Sequence, residues 1–201
     1  TGNVAYACGL AAIAIGTSPN SAAVDSYAPT EVTVSGNTID SGVTNGTRTA
    51  GIAFTGVSAG AKATGAIVGN TIKGYGLEGN IDTGGIYMYS TSGVAVTGNN
   101  IVNPSPTGIV LKFENSNAVV SGNAISDPWS NSLSGFGPFA VYSSLQDNTA
   151  IIGDNAFLTN GFSATYLLTT ANGAGIRINS STGLAFQIGV NRSVATTYVA
   201  D

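Results

Sequence analysis

The chain has 201 residues, a formal net charge of −4 and 43% hydrophobic residues, but only 8% charged residues; it contains 28 Gly, one Cys and no His. This composition excludes a His-based catalytic triad, a zinc site built from His and Cys, and a disulfide within the chain. Six Lys plus Arg argue against a nucleic-acid or anionic membrane surface. The length fits one large domain with a sizeable core.

The longest apolar run extends from Val4 to Ile15 (VAYACGLAAIAI) and is interrupted by Gly9. It is shorter than the roughly 18–20 residues that span a bilayer, so we expect no membrane insertion. It has no basic flank of the kind that precedes a secretion signal. We therefore predict that this run forms buried strands, with Cys8 as a small hydrophobic residue.

A six-residue motif, apolar-x-Gly-Asn-x-apolar, recurs along the chain with small variations. Its segments are short, β-branched and alternating, which is typical of strands. Gly and Asn adopt left-handed backbone geometry at low cost, so the Gly-Asn pair suits a tight corner between two strands. The asparagines are separated by 33, 29, 24 and 32 residues, and they are Asn37, Asn70, Asn99, Asn123 and Asn155.

A second motif, Gly-Ile-x-apolar, alternates with the first and begins at Gly51, Gly85, Gly108 and Gly175. A degenerate copy, Phe139-Ala140-Val141, fills the gap between the third and fourth. Periods of roughly 20–50 residues indicate stacked repeats, and strands of successive repeats then lie in parallel about 4.8 Å apart. The sequence predicts an all-β parallel β-helix of about six coils over residues 1–182, followed by capping strands over residues 183–201.

Together, the two motifs resemble the right-handed parallel β-helix repeat of the pectate-lyase-like superfamily, over about residues 32–180. That superfamily includes polysaccharide lyases, hydrolases and epimerases, and also phage tailspikes. The resemblance implies an extracellular, cell-surface or virion location and a polysaccharide partner. It leaves open whether the chain forms a homotrimer or has a filament neighbour.

The five asparagines are expected to align on one edge of the stack. There their amides would bond to neighbouring coils and satisfy backbone groups that a corner otherwise leaves unpaired. The alternative is a ladder of ligand-binding amides. By the same alignment, Asp40 and Lys73 are expected to form a surface ion pair on adjacent coils, worth at most about 1 kcal/mol.

Counting from each Gly of the second motif, the second and fourth positions are expected to face solvent. The second column would hold Ala53, Tyr87, Val110, Ala140 and Arg177, and the fourth Thr55, Tyr89, Lys112, Tyr142 and Asn179. A flat face of aromatic rings and hydrogen-bonding groups suits a sugar chain. The alternative is that tyrosine simply packs well on an exposed strand. We predict that the polysaccharide is bound by Tyr87, Tyr89, Tyr142, Arg177 and Asn179.

Glycoside hydrolysis needs two carboxyl groups roughly 5–9.5 Å apart. Glu114 is the only acid in line with the outward columns. A second carboxyl could come from Glu78 or Asp82, in the loop at residues 74–82, or from Asp127, after the Asn123 corner. Lys112 or Arg177 could serve a metal-free elimination. The sequence has no Asp-x-Asp cluster for calcium, and we expect neither a metal nor a cofactor. Three hypotheses remain: a polysaccharide-binding module, a lyase or hydrolase on the same face, and a structural fibre or surface module without a ligand.

Overall fold

The computed structural model describes residues 1–6, 11–16, 28–42, 47–57, 59–77, 80, 82–126, 139–144, 148–157, 176–178 and 185–193. All of the regular structure in these ranges is β-strand, so the all-β prediction is confirmed. Within the same ranges, no helix has the length and apolarity needed to cross a membrane.

The strands form three parallel sheets, named A, B and C here. Sheet A contains seven strands: β1 (Val4–Tyr6), β4 (Thr38–Asp40), β8 (Thr71–Lys73), β12 (Asn100–Val102), β15 (Ala124–Ser126), β18 (Ala156–Phe157) and β21 (Arg192–Ser193). Sheet B contains six: β2 (Ala11–Gly16), β6 (Ala50–Thr55), β10 (Gly84–Tyr89), β13 (Thr107–Phe113), β16 (Phe139–Ser143) and β19 (Ile176–Ile178). Sheet C contains six: β3 (Val32–Ser35), β7 (Gly65–Val68), β11 (Ala95–Thr97), β14 (Ala118–Ser121), β17 (Thr149–Gly153) and β20 (Ala185–Ile188).

After β1, the chain visits the sheets in the fixed order B, C, A, and each strand pairs in parallel with the strand of the preceding pass. This stacking of parallel strands in three sheets is compatible with a parallel β-helix. The predicted capping segment contributes β20 and β21, which continue sheets C and A. A short antiparallel ribbon, β5 (Thr47–Arg48) with β9 (Gly76–Leu77), lies outside the three sheets.

The hydrophobic core is built from alternate residues of the strands, as the period of two requires. Four strands of sheet A (β4, β8, β12 and β15) each contribute one isoleucine in matching register, and three strands of sheet B (β6, β10 and β13) contribute the isoleucines of the first three Gly-Ile motifs. These isoleucines are at most 1% exposed, and they are Ile39, Ile72, Ile101, Ile125, Ile52, Ile86 and Ile109. The two sequence motifs therefore place their apolar residues in one interior.

The glycine of the Gly-Ile motif is explained by the isoleucine of the other motif. A Cβ atom added at Gly85 would lie 2.6 Å from Cγ2 of Ile101, and one added at Gly108 would lie 2.8 Å from Cγ2 of Ile125. In each case the isoleucine belongs to the same pass of the chain. Sheets A and B thus approach so closely here that only glycine fits without displacing the core.

At the corner between sheets C and A, asparagines form a continuous column. In each step, the backbone N–H and the side-chain Nδ2 of one asparagine both donate to Oδ1 of the next, at 2.8–3.1 Å. Glycines precede four of the five predicted asparagines and have φ of +63° to +65°, a conformation that is costly for most other residues; Asp154, before Asn155, has φ of +56°. The column contains the five predicted asparagines and is extended at its two ends by Asn3 and Asn191.

The carboxamides also reach the preceding coil. Asn70, Asn99 and Asn123 each donate from Nδ2 to a sheet C carbonyl of the pass before, at 2.9 Å. Each of the five predicted asparagines is at most 2% exposed. Since a buried polar group without a partner costs about 1–3 kcal/mol, this column stabilises a corner that would otherwise be expensive to bury. On the outer side of sheet A, Lys73 Nζ and Asp40 Oδ2 form the expected ion pair at 3.3 Å.

Replacing Asn99 by alanine is expected to lower the free energy of unfolding by about 3 kcal/mol, because it removes the acceptor of two buried donors of Asn70. Urea unfolding followed by circular dichroism measures the change. Asn100→Ala is the matched control, since that neighbouring side chain is exposed and should change stability by only about 0.5 kcal/mol or less. Equal effects of the two substitutions would contradict the role of the column.

Replacing Gly85 by alanine is expected to destabilise the fold by about 1–3 kcal/mol, because the new methyl group overpacks against Ile101. Gly153→Ala is the control: its added Cβ would meet its nearest atom, Cα of Gly189, at an ordinary 3.5 Å. Thermal unfolding of the two variants compares them directly. A Gly85→Ala variant as stable as Gly153→Ala would contradict the close approach of sheets A and B.

Candidate functional site

The outer face of sheet B carries the predicted substrate-binding residues, but its register differs from the expected one in the fourth copy. Tyr142 lies opposite Val110 and not opposite Lys112, so it belongs to the second outward column. The physical reason is that Phe139 pairs with Thr107, which places Ala140 opposite the glycine of the preceding strand. The sequence alignment was wrong by two residues there, because this copy has no glycine to mark its start.

A β-bulge shifts the next part of the face. Met88 pairs with Leu111, but Tyr89 pairs with Phe113, so Lys112 is the extra residue on β13. A bulge leaves one residue outside the ladder and re-aims its neighbours. As a result, the ring of Tyr89 stacks on that of Phe113, with centroids 5.6 Å apart and planes inclined by 29°. Both rings are half-buried, so each keeps accessible surface.

The expectation that both outward columns face solvent is wrong for Thr55, Val110, Ala140 and Tyr142, which are 2%, 0%, 0% and 3% exposed. Val110 and Tyr142 form a second apolar cluster with Phe139, on which the ring of Tyr142 stacks at 5.5 Å between centroids. Tyr87 is half-buried and packs against this cluster. Tyr142 therefore presents no open ring surface to a ligand.

Asp82 is brought to the face by the loop after β9. Thr83 Oγ1 accepts a hydrogen bond from the N–H of Leu77 at 2.7 Å and donates to the carbonyl of Asn80 at 2.7 Å, and these bonds shape the loop. At the end of the loop, Asp82 Oδ2 accepts a hydrogen bond from Nζ of Lys112 and forms an ion pair with it. Two of the residues predicted as catalytic are thus in contact with each other.

Glu114 follows the bulge, with a backbone φ of +49°. Its Oε2 accepts from the N–H of Ala59 at 2.9 Å and from Nζ of Lys62, and lies 3.5 Å from Oγ of the buried Ser90. Burial raises the pKa of the Glu114 carboxyl, but the hydrogen bonds from Lys62 and Ala59 and the charge of Lys62 outweigh burial, so the pKa is lowered overall. This carboxylate stays ionised and ties the segment around residues 59–62 to the corner after β13.

The phenol of Tyr87 lies close enough to Asp82 and Tyr89 to be affected by their charges. Burial raises the pKa of Tyr87 well above its ordinary value, and the charges of Asp82 and Tyr89 add to the effect. The hydroxyl is therefore protonated at all physiological pH values and can donate a hydrogen bond.

Neither Glu114 nor Asp82 is suited to act as a glycosidase acid. A glycosidase acid needs a carboxyl whose pKa is raised, whereas Glu114 has a lowered pKa and Asp82 is engaged by Lys112. Among the described residues, no three His, Cys, Asp or Glu side chains are grouped as a metal site requires. The backbone of Arg177 pairs with Tyr142; the side chain of Arg177 and the residues Glu78, Asp127 and Asn179 lie outside the described part of the chain.

Several residues of this face and its corners were not predicted from the sequence. Phe113 was hidden by the bulge, although one signal for it exists: seven residues separate Gly108 from Asn115, whereas six separate Gly85 from Thr91. Thr91 and Asn115 occupy the same corner, since Thr91 Oγ1 donates to Asn115 Oδ1 at 2.8 Å.

Asn115 in turn donates from its N–H and Nδ2 to Asn148 Oδ1, at 3.0 and 2.9 Å. This is a second, shorter asparagine column, at the corner between sheets B and C. Lys62, the partner of Glu114, lies 52 residues away in sequence and carries no local signal.

No family model, no curated protein and no solved structure matches this chain. The assignment of a function therefore depends on the geometry of the site itself.

Replacing Glu114 by glutamine is expected to cost about 1.5 kcal/mol of stability at neutral pH, through weaker hydrogen bonds to Lys62 and Ala59. Because the pKa of Glu114 is lowered by folding, this contribution is full above the ordinary pKa of a glutamate and is lost as the pH falls through the folded-state value. Urea unfolding of both proteins from neutral to acid pH tests this. Glu31→Gln, at an exposed position, is the control, and a difference between Glu114→Gln and wild type that persists at the lowest pH would contradict the account.

Proposed function

We propose that this chain is a right-handed parallel β-helix of the pectate-lyase-like type that binds a polysaccharide along the outer face of sheet B. The fixed order of sheets and the parallel pairing in each of them support the β-helix. Right-handedness follows from the strong preference of parallel crossover connections for that hand. The low charge and the abundance of Gly suit an extracellular, cell-surface or virion-borne solenoid.

The observation that carries the binding proposal is the half-buried stack of Tyr89 and Phe113. The two residues next to Phe113 in sequence each form an ion pair: Lys112 with Asp82, and Glu114 with Lys62. Aromatic rings pack against the C–H groups of sugar rings, while charged groups and phenols hydrogen-bond the hydroxyls. An apolar surface with polar groups around it therefore suits a sugar chain, which presents both C–H faces and hydroxyls.

A second candidate is a structural fibre or surface module without a ligand. It is favoured by the burial of Tyr142 against Phe139, because tyrosines that pack on their own neighbours stabilise a solenoid without any partner. The lyase or hydrolase alternative on the same face is less favoured, since ion pairs hold Glu114 and Asp82, the two predicted catalytic carboxyls that lie in the described part of the chain.

Tyr89→Ala and Phe113→Ala are each expected to weaken glycan binding at least tenfold, or about 1.4 kcal/mol, because each removes half of the aromatic stack. A glycan array identifies the ligand of the wild type, and isothermal titration calorimetry measures the variants. Tyr6→Ala is the matched control, since this tyrosine is 69% exposed but lies on sheet A.

Assays for reducing ends and for unsaturated products, run on the same glycans, distinguish a binder from an enzyme. Binding without cleavage is the expected result. A wild-type protein that neither binds nor cleaves any glycan would contradict the proposal and favour the structural module.

A further inference from the structure

The charges around the aromatic stack are balanced within the protein. Lys112 is paired with Asp82, and Lys62 with Glu114. The side chains are only partly exposed, at 21% and 32% for the first pair and 30% and 18% for the second, so solvent screens these pairs less than it screens a pair on an open surface. A ligand on this face therefore meets Lys112 and Lys62 with their charges already neutralised by Asp82 and Glu114.

Both oxygens of Asp82 are withdrawn from a ligand: Oδ2 is held by Lys112, and Oδ1 is buried, with no hydrogen-bond partner among the described residues. The carboxylate therefore neutralises Lys112 and does not contact the ligand. Sugar hydroxyls are uncharged and both donate and accept hydrogen bonds, whereas an ionised carboxylate or sulfate carries a charge that is best bound by a free cation.

We infer that the polysaccharide bound at Tyr89 and Phe113 is a neutral one, and not a uronate or sulfated polymer, because both cations beside the stack are already neutralised by carboxylates of the protein. This inference rests on the function proposed above. An acidic sugar could reach Lys112 only by displacing Asp82, which would leave a partly buried carboxylate beside the incoming charge. The net charge of −4 also disfavours an acidic polysaccharide, because it repels a polyanion.

The test compares neutral probes (dextran, mannan, galactan and laminarin) with acidic probes (polygalacturonate, alginate and hyaluronan) in binding to the wild type. We expect binding to at least one neutral probe, with an affinity that changes less than about twofold between low and high NaCl, because no net charge is neutralised on binding. Binding to acidic probes alone would overturn this inference and leave the proposed function standing. Binding to no probe of either class would overturn the proposed function and this inference with it.

Asp82→Asn tests the balance itself. It keeps the shape of the side chain but removes the charge that compensates Lys112, so affinity for acidic probes should rise at least tenfold and should fall again with added salt. Asp40→Asn is the matched control, because it frees Lys73 in the same way on sheet A and should leave binding to both probe classes unchanged.

An Asp82→Asn variant with no gain for acidic probes, or an equal gain in Asp40→Asn, would contradict the inference. If Asp82→Asn lost its fold, as judged by circular dichroism, the salt dependence of the wild type would decide alone. A steep fall of its affinity with added salt would contradict a neutral ligand.

Discussion

At the corner between sheets C and A, the carboxamide of an asparagine takes over hydrogen bonds that the backbone cannot make with itself. Each one accepts two bonds from the coil before it and donates to the coil after it, so every turn of the chain fixes the position of the next. A tight corner can then be buried without orphaned polar groups. The strands on both sides are held in parallel register, and the rest of the molecule depends on that register.

The interior and the outer face are two consequences of the same stacking. Inside, sheets A and B approach until the isoleucine of one motif touches the glycine of the other, as at Ile101 and Gly85. Outside, residues far apart in sequence become neighbours, so that Tyr89 stacks on Phe113 and Lys62 meets Glu114. The core gives the sheet rigidity, and the outer face acquires a fixed pattern of rings and charges that a repeating ligand can match.

The repeating parts of this structure could be predicted from the sequence, and the exceptions could not. Asparagine and glycine at fixed positions specify corners, and strict alternation specifies which side chains face inward. The outer face depends on single-residue differences between coils: the bulge at Lys112, and Ala140 in the place of the motif glycine, each put side chains in another column than the repeat pattern predicts. A shift of one residue in a strand exchanges its two faces. A register error that the repeat pattern does not reveal therefore puts different side chains on the predicted outer face. Partners such as Lys62, from a distant loop, are set by tertiary geometry alone.

The most direct test of the stacked parallel coils is the measurement of contacts between strands by NMR, with nuclear Overhauser effects on the backbone of a labelled protein. The account predicts parallel-register contacts between Ile72 and Ile101 and between Ile101 and Ile125, which are opposite one another in sheet A. Backbone contacts with antiparallel progression between these segments, or none at all between them, would contradict the account.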